Sequence, residues 1–178
     1  MVINEQHKFI FVHVYRTAGS SIDQAFDGHI NNIPTHTKLE DIPNWEDYFS
    51  FGFIRNPWDR MVSSHMYNLR TGKTTGTFEN WIENLVPRAK EYAQYTMVEN
   101  CSFIGRFEHL QEDLETAFEL IGAPTPNLKH IWKTNHKPYQ EYYNDNLIQK
   151  VYDHQSGDID HFGFTFDSTA TKDIGDRR

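Results

Sequence analysis

Three short apolar runs interrupt an otherwise polar chain, and each is followed by a turn and a stretch of helical spacing. The first run, Phe9, Ile10, Phe11, Val12 and Val14, is nearly continuous, as in a strand buried on both faces. Arg16, Thr17, Ala18 and Gly19 then read as a turn. Ser20 and Ser21 open a helix whose apolar residues Ile22, Ala25 and Phe26 share one face, and Gly28 suits a left-handed cap at its end. The second run, residues 49–54, predicts another strand. Asn56 is a good cap for the helix that follows, Pro57 fits its first position, and Asp59 suits the positive end of its dipole. Met61, Val62, Met66 and Leu69 supply its apolar positions. The third run predicts a strand over 101–107 and a helix over 108–121, with Leu110, Leu114, Ala117, Phe118 and Ile121 at helical spacing and Gly122 and Pro124 as the stop.

The remaining segments are less regular. Residues 31–47 carry Pro34, Pro43 and the lone loop histidine His36, and read as loop with at most a short helix. Residues 78–85 read as helix and 87–100 as irregular. Residues 133–143 are basic and aromatic, with Lys133, His136 and Lys137. Residues 146–152 form a helix with Leu147, Ile148, Val151 and Tyr152 inward, and Phe162, Phe164 and Phe166 close the core. Residues 167–178 show no apolar pattern and are expected to be a mobile tail. The alternation of strands and helices predicts one α/β domain over 1–166, built in three layers on a parallel sheet with right-handed crossovers. Ligands of such sheets bind at the C-terminal ends of the strands.

Composition narrows the classes. A chain of 178 residues supports one domain with a substantial core. The mean hydropathy of -0.70 leaves no run long enough to span a membrane. The first residues pass into the first strand without the pattern of a signal peptide. The single Cys101 excludes an internal disulfide and a multi-cysteine zinc site. Together these point to a cytoplasmic protein. The formal charge of -8 argues against a nucleic-acid surface, though not against one basic pocket.

The turns carry the chemistry. A helix start exposes backbone N–H groups without partners, and its dipole favours negative charge. Gly19 lets backbone approach an anion, Thr17, Ser20 and Ser21 add hydroxyl donors, and Arg16 adds a fixed cation. That combination is a phosphate cradle; the same serines would also serve as plain helix caps. Arg55 stands at the C-terminal end of the second strand, and Ser63 lies about two turns along the next helix. The two could converge on a second anion, or Arg55 could simply pair with Asp59. An arginine at each of two such turns suggests a ligand with two separated anionic groups.

With these residues in view, the chain resembles the sulfotransferases that use 3′-phosphoadenosine 5′-phosphosulfate, especially their carbohydrate sulfotransferase branch. Tyr15, Arg16, Thr17, Ala18, Gly19, Ser20 and Ser21 match the family's 5′-phosphosulfate turn, and Arg55, Pro57, Arg60 and Ser63 match its 3′-phosphate motif in order and spacing. Residues 103–114 resemble the strand and helix that approach the nucleotide, and late residues up to Phe164 resemble the branch's C-terminal end. The resemblance implies a P-loop-like sulfotransferase fold. It implies transfer of a sulfuryl group to a hydroxyl on a carbohydrate or small molecule. No metal is needed where arginine and backbone donors already face the anion, and the insertion over 78–100 is expected to carry acceptor contacts, since loops over a rigid sheet carry specificity. Arg16 and His36 would be catalytic, and Arg106 and Phe107 would join the two turns at the nucleotide; on residue type alone Arg106 could equally pair with a carboxylate, and Phe107 reads more readily as a core residue. His29, His13 and His65 are rival bases, His13 being more readily a structural residue of the first strand. The first turn departs from the family: Arg16 replaces the usual lysine and Tyr15 the usual proline before it. Arginine stabilises charge with a planar donor fork, but it holds its proton too tightly to give it away.

Two other classes remain open at this point. A small P-loop kinase shares the cradle, but its G-x-x-x-x-G-K-[ST] motif lacks both the lysine and the first glycine here, and Arg55 stands where a magnesium-binding acid is required. A non-catalytic nucleotide-binding module would keep the anion contacts and show no turnover.

Overall fold

Why the apolar runs become strands is plain in the computed structural model, which describes residues 1–26, 33–85, 93–128 and 136–178. The first run gives strand β2 (Phe9–Val12), buried at every position, with β1 (Val2–Asn4) antiparallel beside it. β3 (Phe49–Ile54) and β4 (Phe103–Arg106) extend the sheet in parallel, and the two-residue β5 (Gly175–Asp176) closes its far edge antiparallel to β4. The order is β1-β2-β3-β4-β5. The parallel geometry predicted from the sequence therefore holds for the three central strands, and both edges are antiparallel.

Alternation sends successive side chains into two separate cores. On one face Phe9, Phe11, Phe51, Phe53 and Phe103 meet Ile22 of α1 (Gly19–Ala25) and Leu114, Ala117 and Phe118 of α5 (Leu110–Ile121). The phenylalanine rings pack at centroid distances such as 5.3 Å for Phe11–Phe51 and 5.4 Å for Phe9–Phe118. Each buried ring contributes on the order of 2 kcal/mol from area alone. On the other face Ile10, Val12, Ile54 and Ile104 meet α2 (Pro57–Arg70), α3 (Phe78–Glu83), α4 (Gln94–Val98) and α6 (Asp145–Phe162). The result is a helix–sheet–helix sandwich, the α/β three-layer class that the sequence predicts.

Four segments differ from expectation. β2 ends at Val12 because the Val14 amide bonds back to the Val12 carbonyl at 3.1 Å, which takes His13 out of the sheet. Residues 94–98 are helical rather than irregular, fixed by Gln94 in the interior; residues 86–92 lie outside the described residues. The last long helix runs over Asp145–Phe162, well beyond residue 152, and kinks at Gln155 (φ -121°), whose side chain accepts from Arg60. Residues 167–178, expected as a mobile tail, are packed. Ala170 is buried, the Thr171 and Lys172 amides donate to the Phe162 carbonyl, and Arg177 donates to the Glu99 carbonyl at 2.9 Å. A polar stretch can be ordered this way because strand pairing and carbonyl capping use backbone groups, which leave no mark in an apolar pattern.

The buried pair Arg60–Asp158 (2.9 Å) ties α2 to α6, and the second Asp158 oxygen accepts the Tyr95 amide at 3.0 Å. Removing one partner of a buried ion pair leaves a charge without its counter-charge. Asp158→Ala is therefore expected to cost about 3–5 kcal/mol of unfolding free energy by denaturant titration, a loss far larger than an exposed ion pair would give.

Candidate functional site

Two turns leave the C-terminal ends of adjacent parallel strands, β2 and β3, and open into one cleft of about 910 Å³. Its walls include Arg16, Ala18, Gly19, Ser20 and Ser21 from the first turn, and Arg55, Ser63 and Tyr67 from the second. His36 and Phe107 line it too.

The first turn is built by backbone conformations that side-chained residues seldom adopt. Arg16 (φ 65°) and Ala18 (φ 69°) are both left-handed, at a cost of about 1–2 kcal/mol each. The Thr17 hydroxyl donates back to the Val14 carbonyl at 3.0 Å and is fully buried. α1 begins at Gly19 with Ala18 as its cap, and no side chain caps it. The first amides to bond back are those of Ser21 and Ile22, both to the Ala18 carbonyl, at 2.9 and 3.2 Å. The Gly19 and Ser20 amides thus find no acceptor among the described residues. Ser20 and Ser21 lie inside the helix rather than capping it, so the plain capping alternative does not describe this turn.

The second turn is held from several directions. The Asn56 side chain accepts the Trp58 and Asp59 amides and donates to the Ser168 carbonyl at 2.7 Å, while its own amide donates to Glu108 at 2.7 Å. Burial, the largest cause, pushes the Glu108 carboxyl up. Gln94, also buried, brackets the Arg55 backbone: its oxygen accepts the Arg55 amide at 2.8 Å and its nitrogen donates to the Arg55 carbonyl at 3.0 Å. The sequence reading missed Gln94 because it falls in the segment read as irregular.

The two arginines interlock. Arg16 crosses to α2, where its Nε and Nη2 donate to the Ser63 hydroxyl at 3.2 and 2.8 Å and its guanidinium lies 4.8 Å from the centre of the Tyr67 ring. Arg55 reaches the other way. Its Nη1 donates to the Arg16 carbonyl at 3.2 Å, its Nε pairs with Asp59 at 2.8 Å, and its guanidinium sits 3.9 Å above the Phe107 ring. The local Arg55–Asp59 pairing left open by the sequence is thus present, and Arg55 still lines the cleft. Burial chiefly lowers the Arg16 pKa from its ordinary value, and the charges of Arg55 and Arg70 act in the same direction. Arg16 makes no ion pair among the described residues, which leaves its charge available to an anion.

His36 enters from the loop before the second strand. Its Nδ1 lies 2.8 Å from the His13 carbonyl, which can only accept, so the proton sits on Nδ1 and Nε2 keeps its lone pair. Burial, the largest cause, lowers its pKa, which keeps the ring neutral.

Other candidates fall elsewhere. Arg106 forks onto Asp113 at 2.9 and 2.8 Å and does not line the cleft. The Thr17 hydroxyl also faces away from it. Arg60 is committed to Asp158 and Gln155. His65 sits in α2 and bonds to the Gly76 carbonyl, away from the cleft. His136 reaches the cleft wall, Lys137 pairs with Glu141 at 3.4 Å, and Gly28, His29 and Lys133 lie outside the described residues. His13 does line the cleft, and a Cβ built on Gly19 would fall 2.1 Å from its ring.

Gly19→Ala is accordingly expected to displace the His13 ring and to cost about 1–3 kcal/mol in thermal or denaturant unfolding. An unchanged midpoint would mean that the ring moves freely.

A family model described as "Sulfotransferase family" matches residues 1–165. An uncharacterized protein of Archaeoglobus fulgidus is 33% identical over 87 residues, or 45% of this chain and 72% of that protein. Carbohydrate sulfotransferase 14 of Danio rerio is 23% identical over 208 residues, covering 84% of this chain; the chain spans only 57% of that relative's length. Among solved structures, a sulfotransferase from Alicyclobacillus acidocaldarius aligns over 86% of this chain and 83% of its own, with a TM-score of 0.43 and 13% identity.

Proposed function

The chain belongs to the sulfotransferase family, and from that premise we propose that it moves a sulfuryl group from 3′-phosphoadenosine 5′-phosphosulfate to an acceptor hydroxyl, on a carbohydrate or a small molecule. The observation that carries this reading is the single cleft shared by the two arginine-bearing turns. A ligand charged at one end needs one such turn; a nucleotide charged at both ends needs two, facing a common space.

The residues fit the donor by their chemistry. Guanidinium, hydroxyl and unpaired backbone amide are anion ligands, and the Gly19 and Ser20 amides await an acceptor. Arg16 and these amides hold the 5′ end, with Ala18, Ser20 and Ser21 forming the wall around it. Arg55 and Ser63 hold the 3′-phosphate. Phe107, beneath Arg55, flanks the nucleotide. When bound, the donor supplies the sulfuryl group and a phosphate that leaves with negative charge. Stabilising that charge is the task of Arg16 and the turn amides, by positioning and preorganised donors. His36 Nε2, with its lone pair exposed by the Nδ1 bond, takes the proton from the acceptor hydroxyl. The printed name of the zebrafish relative supports a carbohydrate acceptor.

Calorimetric titration tests the donor. Binding of 3′,5′-diphosphoadenosine in preference to ATP–magnesium supports the reading, and the reverse preference favours a kinase. A mass-spectrometric acceptor screen for a sulfate-sized gain then separates an enzyme from a silent nucleotide-binding module.

His36→Ala is expected to lower turnover by about 10²–10⁴-fold, the usual range for a general base, with nucleotide affinity retained. Full turnover in that variant removes His36 from the mechanism. The pH profile follows from the same residue. Its folded pKa lies below the ordinary 6.5, and only the unprotonated ring accepts a proton. Turnover should hold as pH falls toward that ordinary value and drop only below it.

A further inference from the structure

Arg16 can stabilise charge but cannot give up a proton, and a second proton-bearing group stands at the same turn. His13, freed from β2, packs its ring against Gly19 and lines the cleft. Its Nδ1 lies 2.7 Å from Asp23 Oδ2, on α1. Its Nε2 edge faces the Gly19 Cα, beside the amides without acceptors, and Nε2 has no hydrogen-bond partner among the described residues. The other charged or titratable groups around the pair are the Met1 amino group, 3.2 Å from Asp23 Oδ1, the His36 ring, with its centroid 5.1 Å from that of His13, and the Arg16 guanidinium across the cleft. Burial raises the Asp23 carboxyl, yet it lies below its ordinary value because His13 and the Met1 amino group together outweigh that.

We propose that the His13–Asp23 pair is the proton-carrying member of the phosphate cradle: Asp23 fixes the ring through Nδ1–H, and His13 presents Nε2–H to the phosphate held at the Gly19 turn. The proposal rests on the donor assignment above. In the transfer, His36 takes the acceptor's proton as the acceptor oxygen bonds to sulfur. His13 gives or shares its Nε2 proton with the phosphate oxygen that keeps the electron pair of the broken S–O bond. One proton enters at His36 and one leaves from His13, and exchange with water after product release restores both. The geometry thus supplies the proton donor that an arginine in the lysine position takes away.

The test is calorimetric titration of the whole chain with 3′,5′-diphosphoadenosine between about pH 5 and pH 8, in buffers of different ionisation heat, which reads affinity and protons taken up on binding. The unaltered protein is expected to take up protons and to bind less tightly as pH rises. His13→Gln keeps a donor near the ε position but cannot titrate. It should bind roughly tenfold more weakly at the low end, the size of one charge-assisted hydrogen bond, and lose its share of the uptake. Asp23→Asn keeps a side chain of the same shape and should also reduce the uptake, which covers failure of the first variant to fold. His13→Gln leaves Asp23 and its contact with the Met1 amino group in place, so the loss it causes reports the ring; Asp23→Asn also removes the carboxylate that faces Met1, so it is agreement between the two variants that assigns the uptake to the pair. Unaltered uptake and pH slope in the folded variants would overturn this proposal and leave the donor assignment standing. No nucleotide binding by the unaltered protein would overturn both.

Discussion

Two guanidinium groups share one cleft wall, and of the two Arg55 alone makes an ion pair among the described residues, with Asp59. Like charges this close repel, and burial strengthens the repulsion. The arrangement persists because each arginine is held by the other's surroundings: Arg16 by the Ser63 hydroxyl and the Tyr67 ring, Arg55 by Asp59, the Arg16 carbonyl and the Phe107 ring. Among the described residues, an arginine outside any ion pair and unpaired amides are stored affinity for an anion. It also couples the two turns, since Arg16 moving toward a ligand releases Ser63, and Arg55 moving releases the Arg16 carbonyl.

Keeping the two turns in register needs a stiff frame, and it comes from residues that do not line the cleft. Gln94 holds the Arg55 backbone on both sides. Asn56 joins the start of α2 to the segment 165–168, and Glu108 brings α5's approach against the same point. Arg60 and Asp158 fasten α2 to α6. The polar framework is buried and bonded, as groups denied water must be. Gln94, Arg60 and Asp158 belong to α4, α2 and α6, which also pack the apolar core on that face of the sheet, so the same layer supplies both cohesion and aim.

How much of this was legible in the sequence follows from the range of each interaction. Strand, turn and helix around residues 9–26 and 49–70 were readable because burial alternation, the Asn56 cap and Pro57 are local signals. So was the meeting of the two turns, because parallel neighbours bring their C-terminal ends together. The Arg55–Asp59 pair, four residues apart, was open in the sequence, but the distant partners of Arg16 and Arg60 leave no local signal. Ser63 sits 47 residues from Arg16 and was expected to wait for an anion, and Asp158 sits 98 residues from Arg60. Arg106 is open in the sequence between the nucleotide and a carboxylate, and Asp113, seven residues on, takes it. The helix at 94–98 is too short to show periodicity. His13 was read as part of the strand because nothing in its neighbours announces that Val14 folds back on Val12.

The sheet ends in strands of three and two residues, both running against the parallel centre. A long bare edge invites another chain to add itself by backbone bonding, the first step toward aggregation. Here the well-formed strands have neighbours on both sides, and what remains at the rim is too short to template an intruder. The apolar side chains of the sheet are thus concentrated in its middle, where each strand's backbone is paired on both sides.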